Sequence, residues 1–280
     1  MNASTISLGG DLTVNRIGFG AMRVTTDGPD TWGYPTDRTA AIAFLRRMVD
    51  CGVNFIDTAD SYGPHTSEML IAEALHPYPM GLVIGTKGGV LHNTREVWDR
   101  NGRPQHLRAA CEASLKRLRL ERIDLYQLHS VDPDVPIAES VGALADLQRE
   151  GKIRHIGVGN VTLSELARAK RAARIVSVQN HYNIAEREHD IVLDACTREG
   201  IAFIACRPLG KGTLPDRSGL LVSLAEKRGA TASQLALAWL LHRSPMTLPI
   251  PGTTSATHFD ENGCAAHIML SDAEFETLSR

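Results

Sequence analysis

The sequence predicts an α/β protein with the architecture of a (β/α)8 TIM barrel, and three observations support this prediction. Eight short apolar runs rich in branched residues alternate with segments of helical periodicity, which favours a parallel sheet. The chain has 280 residues, and such a barrel typically takes about 250. No linker-like segment divides the chain, so residues 1–280 are expected to form a single domain.

An N-terminal β-hairpin is predicted before the repeating part. Residues 6–8 and 12–14 flank the turn-rich segment 9–11, a pattern typical of a hairpin. The eight barrel strands are expected near residues 17–20, 53–57, 82–86, 123–128, 153–158, 175–179, 202–206 and 247–250.

The helices between the strands carry recognisable start signals. Pro104 occupies the expected first position of a helix, where proline is tolerated. Three pairs match the S/T-x-x-E/Q capping box, in which side chains and backbone N–H groups satisfy each other: Thr162 with Glu165, Thr231 with Gln234, and Ser271 with Glu274.

A doubly wound open sheet is the competing architecture. It would normally carry a glycine-rich dinucleotide fingerprint after its first strand. The segment 18–23, GFGAMR, begins like that fingerprint but has Arg23 at the third glycine position. The closed barrel is therefore favoured.

Composition excludes several classes of partner. Lys plus Arg number 30 against 32 for Asp plus Glu, with a net charge of −2 and no basic block, so neither nucleic acid nor an anionic membrane is an expected partner. The five cysteines form no C-x-x-C pair, which argues against a zinc site and a disulfide framework. We expect no metal, a small-molecule partner and a cytoplasmic location.

Four polar residues follow predicted strands: Asp57, Tyr62, Lys87 and His129. Any one of them has an ordinary explanation as a cap, a turn residue or a solvated side chain. Because all parallel strands end on one face of a barrel, however, these four side chains are expected to converge there.

Together these four residues predict a site that donates a proton to a carbonyl oxygen. A tyrosine with a pKa of about 10 is a poor acid, and the ammonium of Lys87 is expected to lower the pKa of Tyr62. Asp57 would hold Lys87 charged, and His129 could donate a hydrogen bond to the substrate oxygen.

Two long connections leave strand ends, at residues 23–36 and 88–103. Loops of more than about 12 residues are usually functional, so these two are candidate walls of the substrate pocket. Their aromatic residues Trp32, Tyr34 and Trp98 could line an apolar slot, or they could only pack the loops down.

The chain resembles the aldo-keto reductases. The segment 52–63, GVNFIDTADSYG, carries this resemblance most clearly. It continues through residues 86–87, 128–129, 151–160, 178–180, 207–210, 250–253 and 261–262.

This resemblance implies a barrel that binds NADP(H) without a Rossmann fold and reduces aldehydes or ketones. Tyr62 would be the general acid, Asp57 and Lys87 its tuning pair, and His129 the residue that orients the carbonyl. The remaining residues implied in cofactor binding are Gly20, Met22, Asn160, Gln179, Cys206, Arg207, Pro208, Leu209, Gly210, Lys211, Gly252, Thr253, His258, Glu261 and Asn262.

The resemblance departs from the family in two places. Many relatives have a lysine or arginine near the 2′-phosphate, where this chain has Gly252 and His258, so the expected preference for NADPH over NADH depends on Arg207. Cys206 takes the place of an aromatic residue that stacks on the nicotinamide in many relatives, which predicts weaker cofactor binding.

Within the family, residues 60–66, 76–79 and 179–183 are most similar to the bacterial and fungal pyridoxal-reductase branch, which suggests a pyridoxal-like aromatic aldehyde as substrate. Two alternatives stay open. One is an NADP(H)-binding auxiliary or redox-sensing subunit with slow or no turnover, and the other is a barrel lyase or isomerase without nicotinamide.

Overall fold

The computed structural model of the protein describes residues 4–26, 32–92, 98–212, 214 and 219–280. Its centre is a sheet of eight parallel strands in chain order, each paired with the next. These strands are β3 (Phe19–Gly20), β4 (Phe55–Asp57), β5 (Val83–Gly88), β8 (Ile123–Leu128), β9 (Ile153–Gly159), β10 (Ile175–His181), β11 (Ala202–Cys206) and β12 (Thr247–Pro249).

Backbone hydrogen bonds join the first and last strands of this sheet. The amide of Gly18 donates to Pro249 over 3.0 Å and the amide of Gly20 donates to Pro251 over 3.4 Å. A Cβ on Gly20 would lie 2.7 Å from the Ile250 carbonyl oxygen, so only glycine allows this approach. The predicted (β/α)8 barrel is confirmed.

The predicted N-terminal hairpin is present as β1 (Thr5–Leu8) and β2 (Leu12–Asn15). Its inward side chains are buried in one cluster with residues near the start of the barrel strands, including Val176 and Ala202. The carboxylate of Asp11 in the turn accepts hydrogen bonds from Arg154 and contacts His155. The hairpin therefore covers the end of the barrel opposite the strand carboxyl ends.

In the described part of the chain, α-helices surround the sheet and cover its outer face. They are α1 (Arg38–Asp50), α2 (Thr66–Leu75), α3 (Pro104–Leu118), α4 (Ile137–Arg149), α5 (Leu163–Ala172), α6 (Asp190–Glu199), α7 (Gly219–Arg228), α8 (Ala232–Arg243), α9 (Ala256–Cys264) and α10 (Asp272–Leu278). The three predicted capping boxes begin α5, α8 and α10 with both reciprocal hydrogen bonds.

The two long connections contain regular structure of their own. A 3-10 helix, Ala21–Thr25, opens the first, and Trp32 later forms a bridge with Gly63. The second contains the short hairpin of β6 (Val90–His92) and β7 (Trp98–Arg100). Both connections leave the carboxyl ends of barrel strands, as the sequence predicts.

Among the described residues, every helix is too short or too polar to pass through a lipid bilayer.

Candidate active site

The ammonium group of Lys87 lies at the centre of the candidate site. Lys87 extends from the end region of β5 and is almost completely buried, at 1 % exposure. Its Nζ donates to Asp57 Oδ2 over 2.6 Å, to the Thr58 carbonyl over 2.8 Å and to Tyr62 Oη over 3.2 Å. A lysine ammonium has three donors, so these contacts use all of its hydrogen-bonding capacity.

Asp57 closes β4 and holds this cation inside the barrel. Its second oxygen, Oδ1, accepts hydrogen bonds from Gln179 Nε2 over 2.7 Å and Gln127 Nε2 over 3.2 Å. Burial by itself lowers the pKa of Lys87, but Asp57 and Tyr62 overcome that effect and raise it above the ordinary lysine value. Lys87 is therefore charged at neutral pH.

Tyr62 lies in the turn that follows β4 and presents its hydroxyl to Lys87. Because the ammonium is the donor in their contact, the proton of the phenol stays available for another acceptor. The predicted lowering of the pKa of Tyr62 is wrong in net direction. Burial of the side chain raises that pKa, and the attraction of Lys87 for the phenolate only partly opposes it.

His129 follows β8, with its ring at right angles to that of Tyr62 and 5.8 Å from it, centroid to centroid. Burial, Lys87 and His181 hold the pKa of His129 well below its ordinary value. The imidazole is therefore neutral at physiological pH and carries a single N–H. The structure brings all four sequence-predicted catalytic residues together at one end of the barrel.

Two amide side chains border this group. Gln179, in β10, contacts Asp57, whereas the exposed Asn160 donates to the His129 carbonyl over 2.9 Å. Asn160 has a left-handed backbone, with φ of 52°, which asparagine tolerates better than most residues. Both residues, which the family resemblance implies in cofactor binding, thus lie beside the catalytic group.

The chain after β11 runs along the same face of the barrel. Cys206 is half-buried, and burial raises the pKa of its thiol to about 12. Arg207 is exposed and adopts a left-handed φ of 53°. Pro208, Leu209 and Gly210 follow it, while the side chain of Lys211, also a predicted cofactor residue, lies outside the described part of the structure.

The last group of predicted cofactor residues surrounds the start of α9. Gly252 and His258 are exposed, Thr253 and Glu261 are half-buried, and Asn262 is buried. A Cβ on Gly252 would lie 2.5 Å from the Gly20 carbonyl oxygen, which places this segment against the first barrel strand. Gly20 is buried there and Met22, two residues further on, is half-buried.

Two of the three predicted pocket aromatics meet at a histidine. The ring of His92 stacks on Trp98 at a centroid distance of 3.8 Å and meets Trp32 edge-on at 4.6 Å. This arrangement ties the two long connections together. Tyr34 is different, because 64 % of its surface is exposed.

Sequence reasoning missed Gln127, Ser61 and His92. Gln127 is fully buried. The sequence feature that could have identified it is a glutamine within an otherwise apolar strand. His92 Nδ1 contacts the Ser61 carbonyl oxygen over 3.1 Å, and Ser61 Oγ lies 3.3 Å from His129 Nδ1. No local pattern marked either of these two residues.

Comparisons with known proteins agree with this geometry. The family model of the aldo/keto reductase family matches residues 16–280. An uncharacterised oxidoreductase of Schizosaccharomyces pombe is 45% identical, with 99% of this chain and 89% of the relative covered. Pyridoxine 4-dehydrogenase of Escherichia coli is 42% identical, with 99% of this chain and 98% of that enzyme covered.

A solved structure shows the same architecture. The aldo-keto reductase of Klebsiella pneumoniae in complex with NADPH has a TM-score of 0.84 and 30% identity, with 100% of this chain and 95% of that chain covered. Sequence, fold and relatives therefore agree, and the chain belongs to the aldo/keto reductase family of oxidoreductases.

Proposed function

We propose that the protein is an NADPH-dependent carbonyl reductase in which Tyr62 protonates the substrate oxygen. The single observation that carries this proposal is the arrangement of Lys87, whose ammonium binds Asp57, the Thr58 carbonyl and the Tyr62 hydroxyl at once. Because all three N–H donors of Lys87 are used in these contacts, none is left to bind a substrate directly. Lys87 acts on the reaction through the phenol.

The residues that border the site fit a dinucleotide. Amide side chains at Asn160 and Gln179 suit a carboxamide, which has both a donor and an acceptor. The exposed Arg207 and the N-terminus of α9 suit phosphate groups. When bound, NADPH supplies the hydride that goes to the carbonyl carbon.

Side chains of the protein itself stabilise the negative charge that develops on the substrate carbonyl oxygen. Tyr62 donates its proton to that oxygen, and Lys87 stabilises the phenolate left behind. The raised pKa of Tyr62 keeps the phenol protonated across the neutral range. Asp57 keeps Lys87 charged and aimed, since its other oxygen, Oδ1, accepts hydrogen bonds from Gln127 and Gln179.

For the substrate, we propose a flat aromatic aldehyde of the pyridoxal type. The 42% identity to pyridoxine 4-dehydrogenase supports this class. Trp32 and Trp98 supply aromatic surface on the two connections at the strand carboxyl ends, and flat rings bind well against indoles.

The test follows the absorbance of NADPH while purified protein receives a panel of aromatic and aliphatic aldehydes. The wild type should oxidise NADPH with aromatic aldehydes. Tyr62→Phe should reduce kcat by about 10²–10⁴-fold, the usual contribution of a general acid, and leave NADPH affinity within about threefold because the aromatic ring remains. Full activity of this variant would refute the mechanism, and tight NADPH binding without any turnover in the wild type would favour an auxiliary subunit.

A further inference from the structure

Ser61, directly before the proposed general acid, is bound on two sides. It is buried, at 3 % exposure. Its hydroxyl oxygen lies 3.3 Å from Nδ1 of His129, and its carbonyl oxygen lies 3.1 Å from Nδ1 of His92. Ser61 thus links the two histidines, through its side chain to His129 and through its backbone to His92.

The contact with His92 has only one possible direction. A backbone carbonyl can only accept, so Nδ1 of His92 carries the proton and donates it to Ser61. The two tryptophan rings that pack on His92 hold this donor in place. Ser61 is therefore fixed from the side of the long connections.

The contact with His129 could run in either direction, and the two directions have different chemical consequences. If Nδ1–H of His129 donates to the serine oxygen, Nε2 of the neutral ring is an acceptor and cannot stabilise an oxygen that gains negative charge. If the serine hydroxyl donates to Nδ1, the ring proton resides on Nε2 and can be donated to the substrate.

We propose that Ser61 is a positioning residue that donates its hydroxyl proton to His129 Nδ1 and so keeps this ring in its Nε2–H tautomer. This inference rests on the proposed function, because only a carbonyl substrate requires a donor there. The substrate oxygen then receives two donors, the Tyr62 hydroxyl and His129 Nε2–H. Two neighbouring residues of one turn therefore set both donors, because Tyr62 supplies one and Ser61 orients the other.

The test reads the tautomer directly, by long-range ¹H–¹⁵N correlation spectra of ¹⁵N-histidine protein. The chain has 11 histidines, so a His129→Gln variant identifies the signal of His129. The wild type should show the proton on Nε2. Ser61→Ala should shift the His129 ring towards a mixture of tautomers. It should also reduce kcat by about 10-fold or more, a loss of about 1.4 kcal/mol in transition-state stabilisation. The NADPH affinity should be unchanged.

Two further variants separate the hydroxyl from packing. Ser61→Cys keeps a similar volume but offers only a weak S–H donor, so it should behave like Ser61→Ala. Ser67→Ala removes another buried hydroxyl, one that contacts Thr58 and the Ala21 carbonyl instead of His129, and should leave the His129 spectrum unchanged.

The outcomes distinguish this inference from the proposed function. A wild-type proton on Nδ1, or an unchanged His129 tautomer and unchanged kcat in Ser61→Ala, would overturn the role of Ser61 even if the enzyme reduces aldehydes. A tautomer that depends on Ser61 in a protein without reductase activity would support the positioning and refute the function.

Discussion

The two ends of the proposed cofactor site are built in opposite ways. At the catalytic end, Asp57 and Lys87 are each 1 % exposed and Gln179 is 5 % exposed, and short hydrogen bonds join them. At the outer end, Gly252 and His258 are exposed. In the proposed function, the chemistry rests on buried charges that are costly to separate, whereas the cofactor preference rests on exposed positions that can change with little cost in stability.

Removal of the buried cation should have the largest effect. Lys87→Met leaves the Asp57 carboxylate buried without its cation, which typically costs about 3–5 kcal/mol. The free energy of unfolding from urea titration at pH 7 measures this loss. Lys152→Met is the matched control, because Lys152 pairs with Glu112 and Glu150 at the surface, where a pair contributes about 1 kcal/mol or less. Equal losses in the two variants would contradict the contrast between buried and exposed charges.

The catalytic end also contains a second buried carboxyl group, Asp60, whose pKa is raised. Asp60 is buried and one of its oxygens, Oδ1, lacks a hydrogen-bond partner in the described structure. Burial, together with the nearby Glu68, raises its pKa to about 8 from 3.8. Asp60 is therefore largely neutral at pH 7.

The raised pKa of Asp60 predicts a pH-dependent stability. Its contribution is complete below pH 3.8 and is lost as the pH rises towards 8, because only the unfolded state ionises freely. Asp60→Asn stays neutral at every pH. Its stability relative to the wild type should therefore increase by at least about 1 kcal/mol from pH 5 to pH 8. Urea titrations at the two pH values measure this difference, and a constant or decreasing difference would show that Asp60 is ionised in the fold.

A smaller effect is expected at Cys206, between the catalytic end and the outer end of the proposed cofactor site. Cys206→Tyr would offer an aromatic ring in place of the thiol, and such stacking contributes about 0.5–1.5 kcal/mol. NADPH should bind about 2- to 10-fold more tightly, as measured by fluorescence titration. Cys51→Tyr is the control, since exposed Cys51 precedes β4 and lies away from the strand carboxyl ends. Unchanged affinity in Cys206→Tyr would refute the predicted role of Cys206.

Most of the fold follows from local signals in the sequence. All eight barrel strands lie within or close to the predicted ranges, because short runs of branched residues between turn residues are a direct signature of buried strands. Parallel topology then explains why Asp57 and Lys87 meet although 30 residues separate them. Strand ends are thus a reliable guide to which residues can share a site.

The electrostatics and the supporting contacts could not be predicted in this way. The direction of the pKa shift of Tyr62 depends on how completely the folded chain excludes water, which no spacing encodes. Likewise, Ser61 contacts His92 and His129 only because the connections after β5 and after β8 both reach the turn that contains Ser61. Long-range packing determines these features, and only the structure shows them.

The smallest expected effect is at the outer end, which we propose sets the preference between NADPH and NADH. His258→Arg would place a permanent charge near the start of α9, the region proposed to hold the 2′-phosphate. An exposed ionic contact contributes about 0.2–1 kcal/mol, so the ratio of kcat/KM for NADPH to that for NADH should rise by up to about fivefold. The gain should decline at high salt, which screens exposed charges. His267→Arg makes the same change at an exposed position beyond the end of α9 and should leave the ratio unchanged. An equal gain in both variants would mean that net charge, and not contact with the phosphate, sets the preference.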